Sequence, residues 1–227
     1  MTILAVDSCS CVATGAILRD GVLAAEFIIN DKKTHSVKLL PHIESMLSSV
    51  DMTYNDIDCF AVTIGPGSFT GQRIGTATVK ALAHAVNKPV IGVSSLESMA
   101  YNVPFFDGII CPIMDARREQ VYTGTYKFEG GKLVTIEKDR AIALSELLNE
   151  VKNQKVIFTG DGVPVFNEII KQALCDNAHF APPHLLHLRG GSVAMCAYNK
   201  DDATTYEKLT PLYLRMSQAE RELKNKL

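Results

Sequence analysis

The chain has 227 residues, 47% of them apolar and 21% charged, and a chain of this size can bury a core without disulfide or metal staples. Its formal net charge of −2 argues against a large basic surface, so we expect another protein to hold any RNA that is involved. The N-terminus lacks a signal-peptide pattern, and no apolar run approaches the roughly 18 residues of a membrane span. These properties predict a globular cytoplasmic protein with no membrane contact and six reduced cysteines.

The first half of the chain predicts a three-stranded meander followed by alternating helices and strands. Apolar and β-branched runs indicate the strands, an Asp-Gly pair at 20–21 indicates a hairpin turn, and apolar residues at helical spacing indicate the helices. The predicted elements are strands over 2–7, 12–19 and 22–30, helices over 35–50 and 70–85, and strands over 59–64 and 89–93. Pro41 lies inside or near the start of the first helix and should bend it. Ser94 and Glu97 form a capping box for a further helix.

The second half repeats this order of elements. The predicted elements are strands over 108–114, 120–128 and 132–140, a helix over 145–152, a strand over 155–159 and a helix over 165–174. The acidic strand end at Asp7 recurs at Asp115, and the hairpin turn at Asp20 recurs at Gly130. A duplicated βββαβα unit predicts an α/β protein with two tandem ribonuclease-H-like halves, a reduced form of the actin-like ATPase fold. We assign residues 1–103 to the first half and 104–227 to the second, which ends in a short charged helical tail over 217–227.

In the actin-like architecture, nucleotide phosphates lie between the halves at turns that follow strands. The corresponding residues here are Asp7, Ser8, Gly65, Pro66, Gly67, Ser68, Asp115, Gly160, Asp161 and Gly162. The turn after Asp7 contains no glycine, and two arginines follow Asp115, so backbone approach to a phosphate is disfavoured at both corners. We interpret these segments as vestigial phosphate loops and expect no tightly bound cofactor, with ATP or ADP only as a weak or complex-dependent ligand.

No pattern in the sequence assigns a catalytic residue or a metal ligand. The sequence lacks a GxSxG nucleophile motif, and His35 and His42 are seven positions apart instead of the four that let two helical histidines share a metal. His184 and His187 follow two prolines and fit an ordinary loop. Two other functions remain open on the residues alone, namely a small ATP-dependent phosphotransferase of the actin-like fold and, with less support, a metallopeptidase.

A longer segment, Gly65–Gly75, resembles the signature of the bacterial TsaB family, also called YeaZ. Further matching segments are Asp7-Ser8, His35-Ser36, Leu39-Leu40-Pro41, Asp115-Ala116-Arg117, Val121-Tyr122 and Pro211–Arg215, which span nearly the whole chain. Gln72 departs from the apolar residue that we expect at its position.

The resemblance implies a non-catalytic role in making threonylcarbamoyladenosine in tRNA. The catalytic relative of this family, TsaD, carries a metal-binding HxxxH pair shortly after its own GPG helix, and the corresponding stretch here, 94–100, contains no histidine. TsaB-like chains are understood to pair with TsaD, and the ATPase TsaE joins the assembly. The resemblance thus implies a heterodimer with TsaD, a homodimer when the chain is alone, and contact with tRNA only through the complex.

The two helices of the first half are the predicted contact surface for that partner. The first supplies more apolar area than one face needs, and the alanines of the second permit close approach. The predicted interface residues are Leu39, Leu40, Ile43, Met46, Leu47, Phe69, Ile74, Ala77 and Ala81. The alternative is that these side chains all belong to the core of the chain itself.

Overall fold

Two five-stranded sheets organise the molecule, as seen in a computed structural model that describes residues 1–31 and 35–215. The first sheet consists of β1 (Thr2–Asp7), β2 (Ala13–Arg19), β3 (Val22–Ile29), β4 (Cys59–Gly65) and β5 (Val90–Ser94) in the order β3-β2-β1-β4-β5. Its helices are α1 (His35–Ser49), α2 (Phe69–Val86) and α3 (Ser95–Ala100). β1 pairs antiparallel with β2 and parallel with β4, so the meander and the crossover strands share one sheet.

The second sheet has the same connectivity. It consists of β6 (Ile109–Asp115), β7 (Gln120–Glu129), β8 (Lys132–Ala143), β9 (Val156–Thr159) and β10 (Ala178–Phe180) in the order β8-β7-β6-β9-β10. Its helices are α4 (Leu144–Glu150) and α5 (Val163–Leu174), and α6 (Gly190–Tyr198) follows. Short 3₁₀ turns occur at Tyr54–Asp56, Cys175–Asn177, Pro183–Leu185 and Tyr206–Lys208. The predicted pair of ribonuclease-H-like halves is therefore confirmed, whereas the predicted tail helix over 217–227 lies outside the described residues.

Local chemistry explains several of the element boundaries. Asp20 and Gly21 both have positive φ, 50° and 80°, which is the conformation that a two-residue hairpin needs. The Ser94 hydroxyl caps α3 by accepting the N–H groups of Leu96 and Glu97, as predicted, whereas the Glu97 carboxylate of the predicted capping box accepts a hydrogen bond from Lys200 instead. α1 continues through Pro41 to Ser49.

Buried apolar side chains within the described ranges form three clusters. One lies between the first sheet and α1 and α2, and another lies between the second sheet and α4 and α5. The third joins the halves, since Ile3 and Ala5 of β1 share it with Ile110 of β6 and Val193 of α6. The space between the halves is thus filled by a common apolar core.

α6 comes late in the chain but packs on the first sheet, against β1 and β2. The Gly190 N–H donates to the Thr14 hydroxyl at 2.9 Å, and the Gly191 N–H donates to the Glu26 carboxylate at 2.9 Å. A Cβ at Gly190 would overlap the backbone of Gly15, so the helix approaches the sheet too closely for any side chain there. The sequence-based assignment counted these residues with the second half, whereas α6 packs on the first sheet and lies in the cluster that joins the two halves.

The last described residues also return to the first half. The Leu212 N–H donates to the Ile64 carbonyl at 2.8 Å, and the ring of Tyr213 stacks on Phe69 with centroids 4.7 Å apart. The Arg215 guanidinium then donates to the Ala116 carbonyl of the second half at 2.7 Å. The segment therefore ties the β4–α2 corner of one half to the β6–β7 turn of the other.

Candidate functional site

Asp7, at the end of β1, is fully buried and both of its carboxylate oxygens are occupied. Oδ1 accepts the Cys9 N–H at 2.9 Å and also the Thr63 hydroxyl, and Oδ2 accepts the Ser10 hydroxyl at 2.7 Å. These donors come from the turn that follows β1 and from the neighbouring strand β4. The carboxylate therefore organises its own corner, where a nucleotide-binding relative would direct an acid towards a metal-bound phosphate.

The Gly-Pro-Gly corner between β4 and α2 packs directly on this turn. The Ser68 N–H donates to the Cys9 carbonyl at 2.8 Å, and the Ser8 hydroxyl donates to the Gly71 carbonyl at 2.8 Å. Gly67 has φ 154°, and a Cβ on Gly67 or Gly71 would overlap the carbonyl groups of Cys9 or Ser8. The glycines thus allow close packing of two protein backbones.

The matching corner of the second half is arranged in a similar way. The Gly162 N–H donates to the Ile113 carbonyl at 3.0 Å, and Gly160 has φ 104° because it also packs against Ile113. Asp115 is exposed, and its Oδ1 accepts the Arg117 N–H at 2.7 Å. In this half, the turn at Gly160–Gly162 packs against the Ile113 backbone, and the exposed Asp115 carboxylate accepts a hydrogen bond from its own turn.

A polar cluster joins the corners of the two halves. Cys11 Sγ lies 3.4 Å from His187 Nδ1, near the half-buried Asp161. Burial raises the pKa of the Cys11 thiol to about 11, and the charge of Asp161 adds to the shift. Burial also raises the pKa of Asp161, against the lowering effects of a backbone hydrogen bond at Asp115 and of His187. A thiol with so high a pKa is poorly suited to act as a nucleophile at neutral pH.

These residues do not fit a magnesium nucleotide of the kind that the fold family binds. Asp7, the acid that would face the metal, is fully buried with both oxygens accepting hydrogen bonds, and the gap between its turn and Gly67 is closed by backbone contact. No phosphoryl-transfer step follows from this arrangement. Across residues 1–31 and 35–215, no three His, Cys, Asp or Glu side chains lie close enough to share a metal ion.

The surface of α1 and α2 differs in part from the predicted interface. Leu39, Ile43, Met46 and Leu47 are at most 5% exposed and pack against the first sheet, so the prediction that they lie at the surface is wrong. The apolar stripe of α1 is satisfied by the core of its own half, as the alternative reading held. Phe69 is covered by Tyr213, and Ile74 is half-buried against the same core.

Four small or apolar residues of the two helices do face outwards. Val37 and Leu40 on α1 are 71% and 40% exposed, and Ala77 and Ala81 on α2 are exposed as well. Because both helices cover the same face of the first sheet, their outer sides form one continuous surface, here called the α1–α2 face. Val37 is a member that the sequence analysis missed, since it precedes the regular apolar repeat.

A family model, sequence relatives and a solved structure that resemble this chain agree with one another. A family model described as TsaD, tRNA N6-adenosine threonylcarbamoyltransferase, matches residues 22–223. The tRNA threonylcarbamoyladenosine biosynthesis protein TsaB of Bacillus subtilis is 37% identical over 97% of this chain and 96% of its own length. TsaB of Escherichia coli is 28% identical over 100% of both chains. The structure of YeaZ from Pseudomonas aeruginosa has a TM-score of 0.78 at 24% identity, covers 94% of this chain and 99% of its own, and supports the fold.

In the described ranges, no helix is both long enough and apolar enough to cross a membrane.

Proposed function

Because the chain belongs to the TsaB (YeaZ) family of tRNA threonylcarbamoyladenosine biosynthesis proteins, we propose that it is a non-catalytic subunit of a TsaD-associated complex. In this proposal the chain binds a TsaD-type transferase, with TsaE as a further partner, and supports transfer of the threonylcarbamoyl group to the adenine beside the tRNA anticodon. It works in the cytoplasm, reaches tRNA through the complex, and pairs with a second copy of itself when TsaD is absent.

The observation that carries the non-catalytic role is the occupied carboxylate of Asp7. An acid that helps transfer a phosphoryl group needs an oxygen free for the metal or for a bound water. Here the three hydrogen bonds from Cys9, Ser10 and Thr63 use both oxygens in a fully buried position. The same contacts count against the alternative of an ATP-dependent phosphotransferase. No feature among the described residues favours the metallopeptidase.

The α1–α2 face is the surface on which we place the partner. Its exposed apolar residues are Val37 and Leu40 on α1, and its small exposed residues Ala77 and Ala81 on α2 permit a second pair of helices to approach closely. A stable protein interface of ordinary size buries about 800 Å² on each partner, which is within reach of two adjacent helices. The fully buried Ile43 and Met46 support this face from beneath instead of meeting the partner directly.

The test is size-exclusion chromatography with light scattering of this chain mixed with a TsaD from the same organism. The interface variant is Leu40→Glu with Ala77→Glu, which places two charges on exposed positions of the face. The matched control is Val165→Glu on α5, since Val165 is 57% exposed and lies on the other half. Ile43→Glu is unsuitable because Ile43 is completely buried and the variant would lose its fold.

We expect wild type and the Val165 variant to form a heterodimer, and the double variant to remain folded by circular dichroism but to bind at least tenfold more weakly. A double variant that binds as tightly as wild type would move the contact surface elsewhere. The absence of a complex with wild-type protein would contradict the proposed function itself, and ATP turnover by the isolated chain would then be measured.

A further inference from the structure

The turn between β6 and β7 adopts a strained backbone without using glycine. Arg117, Arg118 and Glu119 have φ values of 63°, 58° and 57°, so three successive residues occupy the left-handed region. This region is unfavourable for residues with a Cβ, and hairpin turns that need it generally use glycine, asparagine or aspartate. Backbone strain of this kind persists where the surroundings enforce it, and it concentrates at functional sites.

The surroundings hold this turn from both ends. The Asp115 carboxylate accepts the Arg117 N–H at 2.7 Å, and the Gln120 N–H donates to the Arg117 carbonyl at 3.2 Å. The Glu119 carbonyl accepts the Leu144 N–H at 3.0 Å, which fixes the turn to the start of α4. The backbone is thus positioned by several hydrogen bonds, while the side chains of the two arginines point away from the core into solvent.

The arginine side chains are not used within the molecule. Arg117 and Arg118 are exposed, and within the described part of the chain neither guanidinium forms an ion pair or a side-chain hydrogen bond. A third guanidinium, that of Arg215, lies against the same turn and donates to the Ala116 carbonyl at 2.7 Å. The acidic groups beside them are Asp115, whose Oδ1 is bound to the backbone, and Glu119, which forms no ion pair with them in the described ranges. A rigid turn therefore presents unpaired guanidinium groups to solvent.

We propose that this turn, with Arg117 and Arg118 as its contact residues, binds the phosphodiester backbone of RNA. The inference rests on the proposed function, which brings the complex to a tRNA. Guanidinium groups bind phosphate oxygens through two parallel hydrogen bonds, and a fixed backbone lowers the entropy lost on binding. A compact nucleoside triphosphate fits less well, because Asp115 and Asp161 lie at the base of the turn and would repel its concentrated charge. The phosphates of an RNA strand are spaced along the chain, so they can contact the guanidinium groups without approaching these carboxylates.

The test measures binding of a substrate tRNA transcript to the complex of this chain with TsaD by fluorescence anisotropy at several salt concentrations. The variant is Arg117→Gln with Arg118→Gln, and the matched control is Lys132→Gln with Lys152→Gln, which removes the same charge from exposed positions elsewhere in the second half. We expect the turn variant to bind roughly tenfold more weakly at about 100 mM salt, with a salt slope smaller by about one for each lost contact. The control should bind within about twofold of wild type.

A second variant separates binding from folding. Replacing both arginines by glycine relieves the left-handed strain, so the thermal midpoint should stay the same or rise while tRNA binding weakens as in the glutamine variant. If the turn were merely structural, the glycine variant would not combine an unchanged or higher thermal midpoint with weaker tRNA binding.

Equal tRNA binding by the turn variant and the lysine control would overturn the inference. Light scattering on the same samples reports complex formation independently, so failure of the proposed function is seen separately. If no complex forms, the same titration on the isolated chain decides the inference.

Discussion

Replacing Asp7 by alanine should destabilise the fold, because the carboxylate is a structural acceptor. The change removes an acceptor from a site with no exposure and leaves three donors behind it. Two of these donors retain another neighbour, since the Ser10 hydroxyl lies 3.2 Å from the Val12 carbonyl and the Thr63 hydroxyl lies 3.2 Å from Cys9 Sγ. Only the Cys9 N–H is left without a replacement among these contacts.

The size of the loss follows from these contacts. A hydrogen bond to a charged group contributes about 1.5–3 kcal/mol, and a buried donor left unpaired costs about 1–3 kcal/mol. Because two hydroxyl groups can rearrange, and because removing a buried charge recovers part of its desolvation cost, the full sum does not apply. We expect the free energy of unfolding to fall by about 3 kcal/mol.

Urea unfolding followed by circular dichroism measures this loss, with two further variants for comparison. Thr63→Val keeps the shape of the side chain and removes one of the three donors, so it should cost about 1–2 kcal/mol. Asp176→Ala removes an exposed acid and should change stability by less than about 0.5 kcal/mol. If Asp7→Ala costs less than about 1 kcal/mol, the structural role is refuted, and a role for this acid in binding a metal or a phosphate becomes the better explanation.

Two further predictions test how the halves are joined. Gly190→Ala should lower the free energy of unfolding by more than about 2 kcal/mol, because its Cβ would overlap the backbone of Gly15. Gly191→Ala should change it by less than about 1 kcal/mol, since a Cβ there meets only side-chain atoms at 3.4 Å or more. Asp139 on β8 accepts hydrogen bonds from the Tyr126 hydroxyl and from the Ser94 hydroxyl of the first half. Burial raises the pKa of the Asp139 carboxyl, so the folded protein holds this proton to a higher pH than the unfolded chain does. The stability of wild type relative to Asp139→Asn, measured by urea unfolding, should therefore increase as the pH falls through the folded-state pKa of Asp139.

Nine of the ten described strands were predictable because each carries a local signal, whereas the three-residue strand β10 (Ala178–Phe180) was not predicted. Alternating or continuous apolar runs specify the strands, and the Asp20-Gly21 pair specifies the hairpin geometry that the structure confirms through its two positive φ values. The repetition of the whole pattern in the second half then predicts the second sheet. These signals lie within a few residues of the elements that they predict, which is why sequence reasoning found them.

The surface that covers an apolar helix face was not predictable in this way. Leu39, Ile43 and Leu47 recur at helical spacing, and that spacing shows that one face of α1 is covered. It does not show whether the cover is the sheet of the same chain or another protein, because both present the same apolar environment. The structure shows that the cover is the sheet, and it leaves Leu40, at the edge of the buried stripe, 40% exposed.

The helix α6 was not predicted from the sequence, for a related reason. Val193, Ala194, Cys196 and Ala197 are buried on several sides of the helix, so the helix lacks the polar face that produces a period of 3.6 residues. The glycine pair at its start is typical of a turn. In the structure, Gly190 is required because the helix approaches the Gly15 backbone too closely for a side chain.

The corner at Asp7 shows why an acid in the expected position does not by itself indicate catalysis. The sequence places Asp7 at the end of a buried strand, where a metal-directed acid and a turn-forming acid look the same. The difference lies in Thr63, which is distant in the sequence but reaches Asp7 from the neighbouring strand and donates to it. Once both oxygens accept hydrogen bonds in a site without solvent, binding a cation would require breaking contacts that hold the two corners together. Asp7 therefore holds the corner of β1 against β4.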